Sequence, residues 1–115
     1  ILDHYKHPRN KRALAAPTLC QREVNPLCGD EVTLYLNTAD GIIAEAAFMG
    51  SGCAISQASA SLLTEFLQGK MLEEVRMIRG QDIFSLLRIP ISMGRVKCAL
   101  LPLKALNAGM GINTV

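Results

Sequence analysis

The chain is 115 residues long, half of them apolar and 19% charged, with a net charge of +2 from 12 Lys and Arg against 10 Asp and Glu. That is the composition of one packed globular domain over residues 1–115, and it excludes an intrinsically disordered chain. Two Tyr, three Phe, no Trp and no run of basic residues argue against nucleic-acid binding, and no apolar stretch reaches the about 20 residues of a membrane span.

The opening residues 1–12 carry a short helical signal that ends near His7, because Pro8 disfavours helix in the residue before it. His4 and His7 stand three apart on that turn, a spacing that suits a metal. Asp3 alone stands beside them, so two solvated imidazoles on a surface helix are expected. Residues 13–27 read as irregular, with Pro17 and Pro26 as breakers and one strand over Leu19–Val24. From Glu31 the pattern alternates, Val32, Leu34 and Leu36 against Thr33, Tyr35 and Asn37, which is a half-buried strand. Turn residues Thr38–Gly41 then lead to a strand over Ile42–Met49, closing a β-hairpin.

After Gly50-Ser51-Gly52 the apolar period becomes helical. Ile55, Ala58, Leu62, Phe66 and Leu67 form the inward face of a helix ended by Gly69. Its other face, Ser56, Ser59, Ser61, Thr64 and Glu65, suits either close packing or water. Met71–Ile78 and Gln81–Leu87 read as short helices separated by Gly80, and Pro90 interrupts the chain. A last helix over Met93–Ala108 points Val96, Leu100, Leu103 and Leu106 inward, with Pro102 imposing a kink or a late start. Strands precede helices, so the expected fold is α+β: a small antiparallel sheet of about three strands with helices packed on one face.

Four cysteines, Cys20, Cys28, Cys53 and Cys98, form no C-x-x-C pair and are too sparse for a disulfide scaffold. Free thiols are therefore expected. Cys28 lies in the turn Asn25-Pro26-Leu27-Cys28-Gly29-Asp30, Cys53 follows Gly50-Ser51-Gly52 just before the long helix, and Cys98 follows Lys97 near the start of the last one. A helix N-terminus and a neighbouring Lys both stabilise a thiolate, and flanking glycines admit a ligand close to the backbone. Three such thiolates with Asp30 would suit one metal site. Spacing alone leaves open a shared site or scattered core cysteines; Cys20, with no glycine near it, reads as a bystander.

The segments Leu2-Asp3-His4-Tyr5, Pro8-Arg9-Asn10, Asn25–Asp30, Phe48–Ser61 and Gly94–Leu100 together resemble the U-type iron–sulfur cluster assembly family, which comprises IscU, SufU and the N-terminal domain of NifU. The resemblance runs through nearly the whole chain and implies a SufE/NifU-like fold. It implies a site of Cys28, Asp30, Cys53 and Cys98 that holds iron as a [2Fe–2S] cluster, or zinc in the resting protein. It further implies sulfur delivered as a persulfide by a cysteine desulfurase, with Cys98 or Cys28 as acceptor and Lys97 assisting, and transfer of the cluster to apo iron–sulfur acceptor proteins. An Asp30 ligand, harder than sulfur, would ease release. The function so implied is a non-enzymatic scaffold; the alternative is a zinc-dependent sulfurtransferase of SufU type. No nucleic-acid or membrane partner is expected. The location implied is the cytoplasm, or an organelle matrix, since the chain starts at Ile1 and shows no secretory leader.

Two features pull apart within that family. Arg95-Val96-Lys97-Cys98 matches the SufU pattern, where IscU proteins have His before the cysteine. Yet only 44 residues separate Cys53 from Cys98, the IscU length, whereas SufU proteins carry an unusually long extra loop of roughly twenty residues. The Leu-Pro-Pro-Val-Lys segment that meets a dedicated Hsp70-type chaperone in IscU proteins is absent, Ile89-Pro90-Ile91 standing in that region, so such a chaperone is not expected here.

Overall fold

The computed structural model describes residues 4, 6–26, 29–88, 91 and 95–110. Strands β1 (Leu19–Asn25), β2 (Asp30–Ala39) and β3 (Ile42–Ser51) form one antiparallel sheet in the order β1-β2-β3. Alternation works as expected: Val32, Leu34 and Leu36 are fully buried, and Leu34 sits between Gln21 of β1 and Phe48 of β3. Asp40 (φ 53°) and Gly41 (φ 75°) both take left-handed backbone, the geometry of a two-residue hairpin turn whose twist matches the strands.

Among the described residues four helices follow: α1 (Ala54–Leu67), α2 (Leu72–Val75), α3 (Gly80–Leu87) and α4 (Val96–Met110). α1 and α4 pack on the sheet and on each other, with α3 against both. The core between the layers holds Phe48, Leu63, Leu67, Ile83 and Leu106. Burying a side chain as large as Phe48 stabilises the fold by about 3 kcal/mol.

The helices depart from the sequence reading in instructive ways. Gly80 opens α3 and is no spacer, because the Asp82 carboxylate accepts the Arg79 N–H at 2.7 Å and starts the helix there. α2 spans only Leu72–Val75. In α1, Ile55, Leu62 and Phe66 are half-buried while the whole stretch Ser56–Ser61 is buried. Its hydroxyls are bonded to protein: the Ser59 hydroxyl donates to the Ala99 carbonyl at 2.6 Å, and the Thr64 hydroxyl to the Ser61 carbonyl at 2.9 Å. Ser61 Oγ accepts the Arg9 N–H and meets His4 Nδ1, each at 2.8 Å. His4 is thus half-buried against α1, contrary to the expected solvated imidazole, while His7 is exposed.

In α4, Leu103 and Leu106 are buried as expected, but Val96 and Leu100 are half-buried, and Cys98, Ala99, Leu101 and Pro102 take the inward face. Pro102 neither starts the helix nor ends it. Having no N–H, it offers no rung to the carbonyl of Cys98, four residues earlier. The expected start near Met93 and the interruption at Pro90 lie outside the described residues. Among the described residues, no helix is long and apolar enough to cross a membrane.

Candidate metal centre

The site forms where β2 begins and β3 ends. The register places Glu31 opposite Ser51 and Val32 opposite Gly50, so the chain leaves β3 directly alongside Asp30. That approach requires glycine twice. A Cβ on Gly50 would collide with the Glu31 carbonyl oxygen, and one on Gly52 (φ 137°) with Asp30 Oδ1. With glycine at both positions, the Cys53 N–H reaches Asp30 Oδ1 at 2.8 Å and the Cys53 thiol donates to Oδ2 at 3.5 Å.

Cys53 is also the N-cap of α1, where the Ser56 N–H donates to its Sγ at 3.5 Å. A sulfur there takes up a helix-terminal donor that has no partner within the helix, and sits at the positive end of the helix dipole. Cys98, 3% exposed, comes from the first turn of α4. One ligand atom each of Asp30, Cys53 and Cys98 lies within 4.8 Å of the others. Asp30 is 1% exposed, and burying a carboxylate this deeply is costly unless it is hydrogen-bonded, which the Cys53 N–H does.

The donor set suits a thiophilic metal. Around a tetrahedral zinc with Zn–S near 2.3 Å, ligand atoms lie about 3.8 Å apart, so a group within 4.8 Å is already gathered to nearly that spacing. Two sulfurs and one oxygen favour zinc or iron–sulfur chemistry over magnesium or calcium. Cys28 lies outside the described residues. Nearby, the Gly29 N–H donates to the Asn25 carbonyl at 2.9 Å, and Asn25 pairs with Asp30. Cys20 and Cys53 are free thiols, and Cys20 stands exposed on β1 opposite Tyr35, midway along β2 and away from Asp30.

The cation beside these thiols is Arg95. Its hydrogen bond with the Cys53 side chain, and then the charges of Cys53 and Cys98, raise the guanidinium pKa above its ordinary value. Lys97, the cation singled out from the sequence, is exposed on α4. The signal that identifies Arg95 is helical spacing: residues three apart share a face, whereas neighbours such as Lys97 and Cys98 diverge.

Comparison with known proteins follows the same lines. Residues 1–112 match the model of the NifU-like N-terminal domain. The zinc-dependent sulfurtransferase SufU of Bacillus subtilis (strain 168) is 36% identical over 127 residues, covering 96% of this chain and 86% of that protein. The iron–sulfur cluster assembly scaffold protein IscU of Thermotoga maritima is 35% identical over 126 residues, covering 96% and 89%. Among solved structures, the SufU protein of Fervidobacterium islandicum AW-1 superposes with a TM-score of 0.78 at 29% identity, covering 95% of this chain and 92% of that one.

Proposed function

This chain belongs to the NifU-like N-terminal domain family, and from that premise we propose that it is a scaffold protein for iron–sulfur cluster assembly. The observation that carries the reading is the gathering of Asp30, Cys53 and Cys98 within 4.8 Å at the end of the sheet. On this reading Cys28 is the fourth ligand, and the cargo is a [2Fe–2S] cluster built from iron and persulfide sulfur. Cys53 and Cys98 hold iron through sulfur, while Asp30 supplies a harder donor that exchanges more readily. A site that includes such a donor can pass its cargo on to an apo acceptor protein.

Sulfur arrives from a cysteine desulfurase. A site thiolate, Cys98 or Cys28, attacks the terminal sulfur of the desulfurase persulfide; the old S–S bond breaks and the desulfurase cysteine leaves as thiolate. Converting each transferred sulfur to bridging sulfide takes two electrons, supplied by a thiol reductant or a protein electron donor. Arg95, beside Cys53 and Cys98, places positive charge where the anionic sulfur enters. We assign the chain to the cytoplasm as a carrier, with no dedicated Hsp70-type chaperone expected.

A second reading, zinc-dependent sulfur transfer, is favoured by the resemblance to the Bacillus protein and by the guanidinium at the thiols. The short Cys53–Cys98 interval does not decide between the two. The matches to SufU and to the Thermotoga IscU span 127 and 126 residues, so both relatives carry residues this 115-residue chain lacks. Anaerobic reconstitution with iron, cysteine and a cysteine desulfurase tests the choice. A visible-absorbing cluster that forms on this chain and then moves to an apo-ferredoxin is the scaffold result. Retained zinc, no cluster and faster desulfurase turnover would overturn it in favour of sulfur transfer.

A further inference from the structure

Gln57, on the first turns of α1, is 3% exposed, and its Oε1 is the one buried side-chain oxygen or nitrogen among the described residues without a hydrogen-bond partner. The other end of its amide is engaged: Nε2 donates to Ser56 Oγ at 3.1 Å. Ser56 is fully buried and spends its only hydroxyl proton on the Cys53 carbonyl, at 3.1 Å. Its oxygen can therefore only accept from the amide, which fixes the amide with Nε2 toward Ser56 and leaves Oε1 orphaned. Turning the amide over would satisfy neither group.

An apolar side chain of the same length would remove the orphan. What the amide does that such a side chain cannot is hold Ser56 in place. Ser56 grips Cys53 at two points, its hydroxyl on the carbonyl and its N–H on Sγ. The bonds thus run in series from Gln57 to Ser56 to Cys53, and the last of them ends on a sulfur of the candidate metal centre. Outer hydrogen bonds of this kind orient a ligand and slow its departure from the metal.

We infer that Gln57 and Ser56 are positioning residues for the Cys53 thiolate, the buried amide locking the serine that donates to the ligand sulfur. The inference rests on Cys53 being a metal ligand, as proposed above. The test uses the intact chain loaded with zinc or with cobalt(II), comparing the parent with Gln57→Met, Ser56→Ala and the double variant. Zinc release to a chelator is expected to speed up about tenfold in Gln57→Met, with a shifted sulfur-to-cobalt charge-transfer band and a melting temperature no lower than the parent's. Because the two residues act in series, adding Gln57→Met to Ser56→Ala is expected to change the release rate no further. A parental release rate and band in Gln57→Met overturn the inference while leaving the metal site standing. A parent chain with no sulfur-to-cobalt band removes the metal site itself, and the inference with it.

Discussion

At one end of the sheet, β2 and β3 are joined through Asp40 and Gly41; at the other, β3 leaves the sheet through Gly50 and Gly52 beside Asp30. Both ends place a glycine in left-handed backbone. At Gly41 an added Cβ would meet nothing, so glycine is there for its backbone freedom alone. At Gly52 the same atom would strike Asp30, so glycine is there to let a carboxylate and a thiol approach. The cysteines divide likewise: Cys20 is exposed near the start of β1, while Cys53 and Cys98 converge on Asp30. One end is a turn, and the other is a turn fitted around a chemical group.

The sharpest way to break this contrast is to exchange thiols for hydroxyls. Cys53→Ser or Cys98→Ser is expected to abolish stoichiometric metal binding, whereas Cys20→Ser leaves it intact, as read by metal analysis of the purified chains. Equal metal content in all three would dissolve the distinction between Cys20 and the cysteines gathered at Asp30. Next in size is the glycine pair. Gly52→Ala is expected to cost about 3 kcal/mol from backbone strain and the collision with Asp30, and to weaken metal binding. Gly41→Ala is expected to cost about 1 kcal/mol with metal content unchanged. Urea titrations of both variants give the two costs, and matching values would mean that the Asp30 contact carries no weight. Smallest is the comparison of the two charges at the start of α4. Arg95→Gln should slow persulfide capture from a desulfurase several-fold and Lys97→Gln much less, measured by single-turnover sulfur transfer; the reverse order would return the electrostatic role to Lys97.

The sheet was legible because Val32, Leu34 and Leu36 alternate with polar residues and the pleat sends them to one face. The Asp40-Gly41 turn was legible because few residues tolerate its backbone. For the serine face of α1, the sequence left close packing and water equally open. Hydropathy counts a hydroxyl as water-seeking, whereas Ser59 finds the carbonyl of Ala99, 40 residues on, and Ser61 finds the Arg9 N–H, 52 residues back. No local window contains those partners. Asp30, Cys53 and Cys98 could be gathered on paper only through family likeness, since their convergence depends on strand register and on two close glycine approaches. Arg95 was missed because its first partner, the Cys53 side chain, stands 42 residues earlier in the chain.

Pro102 gives the centre one more property. The rung that would tie the Cys98 carbonyl to the body of α4 is missing, and the next residue, Ala99, is tied instead to α1 through its carbonyl and the Ser59 hydroxyl. Unwinding that turn sacrifices fewer amide bonds than in an unbroken helix. On the proposed function, release of a ligand would then need only local fraying of that turn, with the sheet left in place.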